Sequence, residues 1–333
     1  MSEPLGAIYR LWQAEPLCNG SPERLADRTI NDSREFKITA TAARMQSLRA
    51  AIKNAGLDGW YVGREDMFQG EEVPPSEERL AFISGFTGSA GYGVILDDAA
   101  ALFSDGRYTL QMANQSDPAV WSTHTLPEAS LASWLTEAGA DGRRIGVDPS
   151  LVTVAGYKRL EKACRQAGAT LLAQSENPID AVWGTGRPQR GAARPFRMPD
   201  RVAGQTMAEK LAVLDKKLAD SGADAVVISR VDAVNWLVNI RGNDLANTPV
   251  NLVFALYHRE NGLLILGDVA SLAPVMEGDL ANEAAIVALE QFDALIDPRA
   301  GYGEGAVIQF EPASLPQALY APLAACGAKL VEA

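Results

Sequence analysis

The 333-residue sequence predicts an α/β fold of two similar tandem domains, each a mixed β-sheet flanked by helices. Three observations carry this expectation. First, the second half repeats the first. "GLDGWYVGRED" is matched by "GADAVVISRVD", with Gly56 opposite Gly222, and "AFISGFTG" by "NWLVNIRG", with Phe82 opposite Trp236 at an offset of 154 residues. Later, "VDPSLVTVAGY" is matched by "FEPASLPQALY", with Pro149 opposite Pro312 and Tyr157 opposite Tyr320 at an offset of 163. A repeat this long is a whole domain, not a solenoid unit. Second, each half contains a hairpin pattern, which forbids an all-parallel sheet. Third, helical and strand-like patterns alternate, which places helices on the faces of a sheet.

Taken in order, residues 1 to 36 carry no sustained periodicity and read as a loosely attached extension. The first domain is expected over 37–183. Met45, Leu48 and Ile52 recur at helical spacing, with Gly56 as a C-terminal stop. Trp60-Tyr61-Val62 reads as a strand, and Gly70 to Glu78 as a polar surface loop. "GYGVILDDAAALF" reads as a hairpin turning at Asp97-Asp98. There follow a helix near Leu126–Ala138, a strand at Arg144–Val147, a helix near Val154–Gln166 and a strand at Thr170–Leu172. Residues 184–201, rich in Gly, Pro and Arg, read as a solvated linker. The second domain is expected over 202–333. Its helix carries Met207, Leu211, Leu214 and Leu218 and ends at Gly222, and its hairpin joins Val250–Tyr257 to Leu263–Leu266. Phe82 and Trp236, at matched positions, are expected in the two cores.

Composition excludes several function classes. Apolar residues make up 47%, ordinary for a chain that buries a core. The net charge of −12 and a pI near 4.8 argue against binding a phosphate backbone, which needs a basic footprint. No apolar run approaches the roughly 18 residues of a membrane span, and the N-terminus lacks a signal-peptide pattern. A cytoplasmic protein is expected. Cys18, Cys164 and Cys326 are odd in number and far apart, which suits a reducing compartment and no zinc site.

Catalytic motifs are lacking. The histidines, His124 and His258, have no ligand-spaced partners, and structural or surface roles are expected for both. "GFTGSAGYG" lacks the Gly-Lys-Ser/Thr of a P-loop and the Gly-x-Ser-x-Gly of a nucleophile elbow, and reads as a tight strand-to-strand connection. The stretch that asks for an explanation is "FSDGRYTLQM", where a strand ends in Asp105-Gly106-Arg107 and a helix begins. Gly106 lets the backbone turn so that Arg107 projects beyond the strand. A guanidinium there offers fixed donors to peptide carbonyls or a carboxylate. Asp105 could orient it or cap the helix. The competing reading is an ordinary turn with a surface ion pair. Asn239, Arg241, Asn243 and Asp244 in the second copy are weaker candidates, for which loop hydrogen bonding or interdomain contact serves as well.

"RLAFISGFTGSAG", "FSDGRYTLQ", Ile145-Gly146-Val147-Asp148-Pro149 and "AVNWLVNIRGNDLANTPV", in this order and on a doubled domain, resemble the N-terminal part of the long-form Xaa-Pro aminopeptidases, or aminopeptidase P. The resemblance covers about residues 37 to 331. It implies two creatinase-type N-terminal domains with a ribonuclease H-like fold. In that family a C-terminal pita-bread domain holds two divalent metals, usually manganese, on two Asp, one His and two Glu, and none of those positions exists in this sequence. The resemblance therefore implies no catalytic or metal residue in this chain, with the metallopeptidase domain missing from it. It also implies that Arg107, oriented by Asp105, contacts bound peptide. The implied role is to frame the substrate cleft and restrict it to short peptides. The implied partners are proline-containing peptides, the chain's own catalytic domain and, as an open option, a second copy in a homodimer. A rival of another class is a stand-alone peptide- or protein-binding module on the same scaffold, as in the large subunit of the FACT histone chaperone.

Overall fold

The computed structural model describes residues 38–191, 194–276, 279–296 and 305–333. The extension expected over 1–36 lies outside them. Two six-stranded mixed sheets dominate. The first contains β1 (Gly59–Gly63), β2 (Tyr92–Leu96), β3 (Ala100–Asp105), β4 (Ser122–Leu126), β5 (Arg144–Val147) and β6 (Thr170–Ala173), in the order β4-β3-β2-β1-β5-β6. After β7 (Phe196–Arg197), β8 (Ala225–Ile228) and β9 (Ile240–Arg241), the second sheet adds β10 (Phe254–His258), β11 (Gly262–Leu266), β12 (Ala284–Val287), β13 (Val307–Phe310) and β14 (Lys329–Glu332). Its order, β12-β11-β10-β8-β13-β14, repeats the first strand for strand. In each sheet one strand, β2 or β10, runs antiparallel to both neighbours, and the remaining pairs are parallel.

Each sheet is buried on both faces, as strands covered by helices must be. In the first domain, helix α1 (Ile38–Asn54) lays Met45, Leu48 and Ile52 against Trp60, Val62, Ile95 and Leu102. On the opposite face Val94, Leu96, Phe103 and Val147 meet side chains of α4 (Leu131–Glu137) and α5 (Val154–Gln166). Between α1 and α4 in the chain come α2 (Arg79–Ser84) and α3 (Thr109–Gln115), and α6 (Pro178–Trp183) closes the domain. In the second domain α7 (Met207–Ser221), α8 (Val231–Leu237) and α9 (Gln317–Ala325) occupy the places of α1, α2 and α5. Among the described residues no helix is long and apolar enough to cross a membrane.

The repeat also builds the domain interface. Val154 N donates to Leu315 O at 2.9 Å and Ala155 N to Pro312 O at 2.8 Å, while Gln317 N donates to Val152 O at 2.8 Å and Ala318 N to Pro149 O at 2.9 Å. Adding the offset of 163 to the first two donors and subtracting it from their acceptors produces the other two bonds, so the contact is pseudo-two-fold, centred on the Thr153–Pro316 bridge. The first N–H groups of a helix have no intrahelical partner. Here the first two of α5 and of α9 bond to the loop that precedes the other helix. Phe68 adds an asymmetric contact: it leaves the first domain to join the second core and stacks on Phe254, with ring centroids 4.7 Å apart.

Five expectations are corrected. The helix expected near Leu126 starts at Leu131, because β4 runs to Leu126 and Pro127 follows it. "GFTGSAGYG" joins a helix to a strand, not two strands: Gly85 ends α2 in the left-handed region, at φ 82°. Trp236 occupies the same helical position as Phe82 but is 49% exposed, against 6% for Phe82. The side chain of Lys210 lies over its ring at 4.3 Å, so it shields a lysine instead of filling the core. The loop 70–78 is not merely a surface excursion, because Val73 and Ser76 are buried in it. The arginine of the linker start is not solvated: Arg187 pairs with Glu77 at 3.0 Å and with Asp180 at 2.9 Å, beside the buried Arg79 that the same two acids hold.

Candidate functional site

β1 and β3 flank the antiparallel β2, so their carboxyl ends point the same way at one end of the first sheet, and the Asp105-Gly106-Arg107 turn leaves from there. Arg107 Nε and Nη2 donate to the two oxygens of Asp105 at 2.9 and 2.8 Å, and Arg107 N donates to Asp105 Oδ1 at 3.0 Å. The pair is open to solvent, with the arginine side chain 67% exposed. Hydrogen bonds from Arg107 hold the Asp105 carboxyl below its ordinary range, and the carboxylate in turn raises the guanidinium. Gly106 is not in the left-handed region and a Cβ there would meet nothing within 4 Å, so the turn does not depend on glycine, contrary to expectation.

Arg107 rests on a built support. Its guanidinium carbon lies 5.1 Å from the centre of the Tyr108 ring, and the Tyr108 hydroxyl bonds Ser89 Oγ at 2.5 Å. The glycine-rich loop approaches this ring closely: a Cβ on Gly88 would fall 2.9 Å from Tyr108 Cδ1 and closer still to Phe86. Arg64, at the end of β1, donates to Ser89 O, to Glu71 O and to Glu78, tying the glycine-rich loop to the loop 70–78. From there the next residue, Glu72, crosses to the second domain. Its carboxylate accepts from Ala246 N, Asn247 N, Asn247 Nδ2 and Thr248 Oγ1, at 3.1 to 3.3 Å.

The second copy shows what is particular about Arg107. Tyr92 pairs with Phe103 and Phe254 with Leu266, so Asp268 is the counterpart of Asp105. Asp268 keeps the backbone role, accepting from Ala270 N at 3.0 Å, but the residue in the place of Arg107 is Ala270. A cavity of about 510 Å³ lies beside this turn, lined by Asp244, Asp268 and Asn251 together with Phe68 of the first domain and Arg190, while Asp268, Val269 and Ala270 themselves stay exposed.

The other candidates do not join Arg107. Asp244 accepts from Leu252 N at 2.6 Å, and burial raises its carboxyl. Asn243 Oδ1 accepts from Arg194 N at 2.8 Å. Asn239 is buried, accepts from Lys210 Nζ and donates to Gln205 O at 2.8 Å. Its φ of 53° matches the left-handed Gly85 at the same repeat position, a conformation Asn tolerates better than most residues. Arg241 Nη1 donates to Asn235 O and Ile240 O. His124 bonds Ser122 at 2.9 Å and stacks on Phe103, and His258 Nδ1 accepts from two backbone N–H groups. The sequence reading missed Glu72 and the Arg79–Asp180 pair. A carboxylate inside Gly70-Glu71-Glu72-Val73 carries no local signal of a partner 174 residues away. Among the described residues no group of three or more His, Cys, Asp or Glu could hold a metal ion.

Comparisons with known proteins agree with this architecture. Residues 44–182 and 186–332 each match a family described as Creatinase/Prolidase N-terminal domain. A probable Xaa-Pro aminopeptidase P of Talaromyces marneffei is 34% identical over 81% of this chain and 41% of its own length. One from Chaetomium globosum is 39% identical over 70% of this chain and 38% of its own length. The chain thus spans about two-fifths of the length of these curated relatives. The crystal structure of an X-prolyl aminopeptidase from Caenorhabditis elegans, described as a cytosolic enzyme with a di-nuclear active site, superposes with a TM-score of 0.77. It covers 88% of this chain and 50% of its own length at 22% identity, a likeness of fold.

Proposed function

From the premise that this chain belongs to the creatinase/prolidase N-terminal domain family in both of its halves, we propose that it is the non-catalytic N-terminal portion of a cytoplasmic Xaa-Pro aminopeptidase. It frames the mouth of a substrate cleft and limits access to short peptides that carry proline in second position. The cleft's metals, two divalent ions with manganese as the leading choice, belong to a catalytic domain elsewhere in the longer protein.

The observation that carries the reading is the asymmetry of the two copies at one sheet edge. The first copy presents an arginine, oriented bidentately by Asp105 and supported by Tyr108, into open space. The second copy has alanine at that place and no guanidinium to present. A planar guanidinium suits peptide carbonyls and a terminal carboxylate. Its permanent charge rules out service as a general base at neutral pH, so its part is to position peptide remote from the scissile bond.

The test is Arg107→Ala in the longer protein, assayed on an Xaa-Pro dipeptide and on a tripeptide or longer substrate. Loss of a charge-assisted hydrogen bond, about 1.5–3 kcal/mol, should lower kcat/KM on the longer peptide by roughly one to two decades. The dipeptide should be much less affected. Equal kinetics on both substrates, with unchanged stability, would reduce the turn to a surface ion pair.

A further inference from the structure

A second cavity, of about 320 Å³, lies on the first domain between the end of β1 and the start of α5. Its wall carries Tyr61, Tyr92, Glu65 and Arg159. The tyrosine rings stand with centroids 5.4 Å apart. Burial pushes both phenols up, Tyr92 to about 12, so both remain O–H donors at neutral pH. Glu65 and Arg159 both act on the Tyr61 hydroxyl, in opposite senses. Among the described residues, none of these four groups hydrogen-bonds to another side chain.

The repeat shows that this polarity is not a requirement of the fold. By strand register and repeat alignment, the counterparts in the second domain are Val227 for Tyr61, Phe254 for Tyr92, Val231 for Glu65 and Pro322 for Arg159. All four are apolar. There the socket is filled from outside, because Phe68 packs among Val227, Val231 and Phe254. The first domain keeps the socket and replaces its apolar lining with two phenols and one charge of each sign; among the described residues no side chain of the other domain lines it.

We propose that this socket binds a small zwitterion with an apolar side chain, a free amino acid. Glu65 takes its ammonium, Arg159 takes its carboxylate, and its side chain lies along Tyr61 and Tyr92 where Phe68 lies in the other copy. The volume is at the lower end of ligand pockets, roughly 300–1,000 Å³, which suits so small a ligand. Leu151, Val152 and Thr153 share the wall with the pseudo-two-fold interface, so an occupant would press on the domain junction.

The test uses the purified chain with three probes: L-phenylalanine, phenethylamine without the carboxylate, and 3-phenylpropionate without the ammonium. Binding is read by calorimetry and by NMR shifts of the tyrosine rings. L-Phenylalanine should saturate below about 10 mM, and each analogue should bind about ten-fold or more weakly. Arg159→Gln should weaken L-phenylalanine and 3-phenylpropionate but not phenethylamine, and Glu65→Gln should do the converse. Both residues are exposed, so both variants should melt as the parent does. Absence of saturation, equal binding of all three probes, or affinities untouched by either substitution would overturn the proposal, whatever the outcome for Arg107.

Discussion

Asp105 and Arg107 are joined by two short hydrogen bonds, yet the pair is exposed, and exposed pairs contribute little to stability. Its consequence is orientation. Because Arg107 lowers the Asp105 pKa, the oriented pair is complete above the ordinary carboxyl value of about 3.9 and dissolves as pH falls through the lowered folded-state value. In Arg107→Ala the Asp105 carboxyl, followed by NMR, should titrate closer to 3.9. An unmoved titration would mean that the pair does not persist in solution. A second contrast concerns two matched aromatic positions. Phe82 is buried and stacks on Trp183 at 4.5 Å, whereas Trp236 is half exposed over Lys210. Phe82→Ala should cost about 3–5 kcal/mol in urea unfolding and Trp236→Ala about 1 kcal/mol. Equal losses would contradict the different burial of the two rings.

Among the elements, the loop 70–78 has the widest reach. Arg64 fastens it to the glycine-rich loop, Glu77 fastens it to Arg79 and Arg187, and Glu72 fastens it to the second domain. The N–H groups of Ala246 and Asn247 have Glu72 as acceptor, so removing that carboxylate exposes them to water. Glu72→Ala should accelerate amide hydrogen exchange at these two residues by about ten-fold, with core strands such as β10 unaffected. Exchange at the parental rate would mean that the clasp is absent in solution.

Over the whole molecule, the two domains are held as pseudo-symmetric partners by four backbone hydrogen bonds at the helix starts. Gln317 offers a clean test, because it is the first residue of α9 and its N–H goes to Val152 O across the interface. Proline is tolerated at that helical position, and Pro316 before it already has the extended backbone a following proline needs, with ψ 141°. Gln317→Pro should therefore remove an interdomain bond and leave the helix intact, lowering unfolding stability by about 0.5–1.5 kcal/mol relative to Gln317→Ala. Equal stability of the two variants would remove this bond from the account of the interface.

The sequence alone determined the doubled α/β architecture, because hydrophobic spacing, glycine stops and the repeat are local patterns that report which face of each element is buried. It also singled out Asp105 and Arg107, where a strand period stops at a charged turn. Only the tertiary structure decided the rest. The matched segments around Pro149 and Pro312 were legible as a repeat, but their bonding to each other depends on how the copies dock. Trp236 shared a sequence position with Phe82 and not its surroundings. Glu72, Arg187 and the polar socket at Tyr61 and Arg159 depend on partners brought together from distant parts of the chain. Such contacts leave no trace in local periodicity, because a charge inside a polar loop has the same sequence signature whether water or another domain receives it.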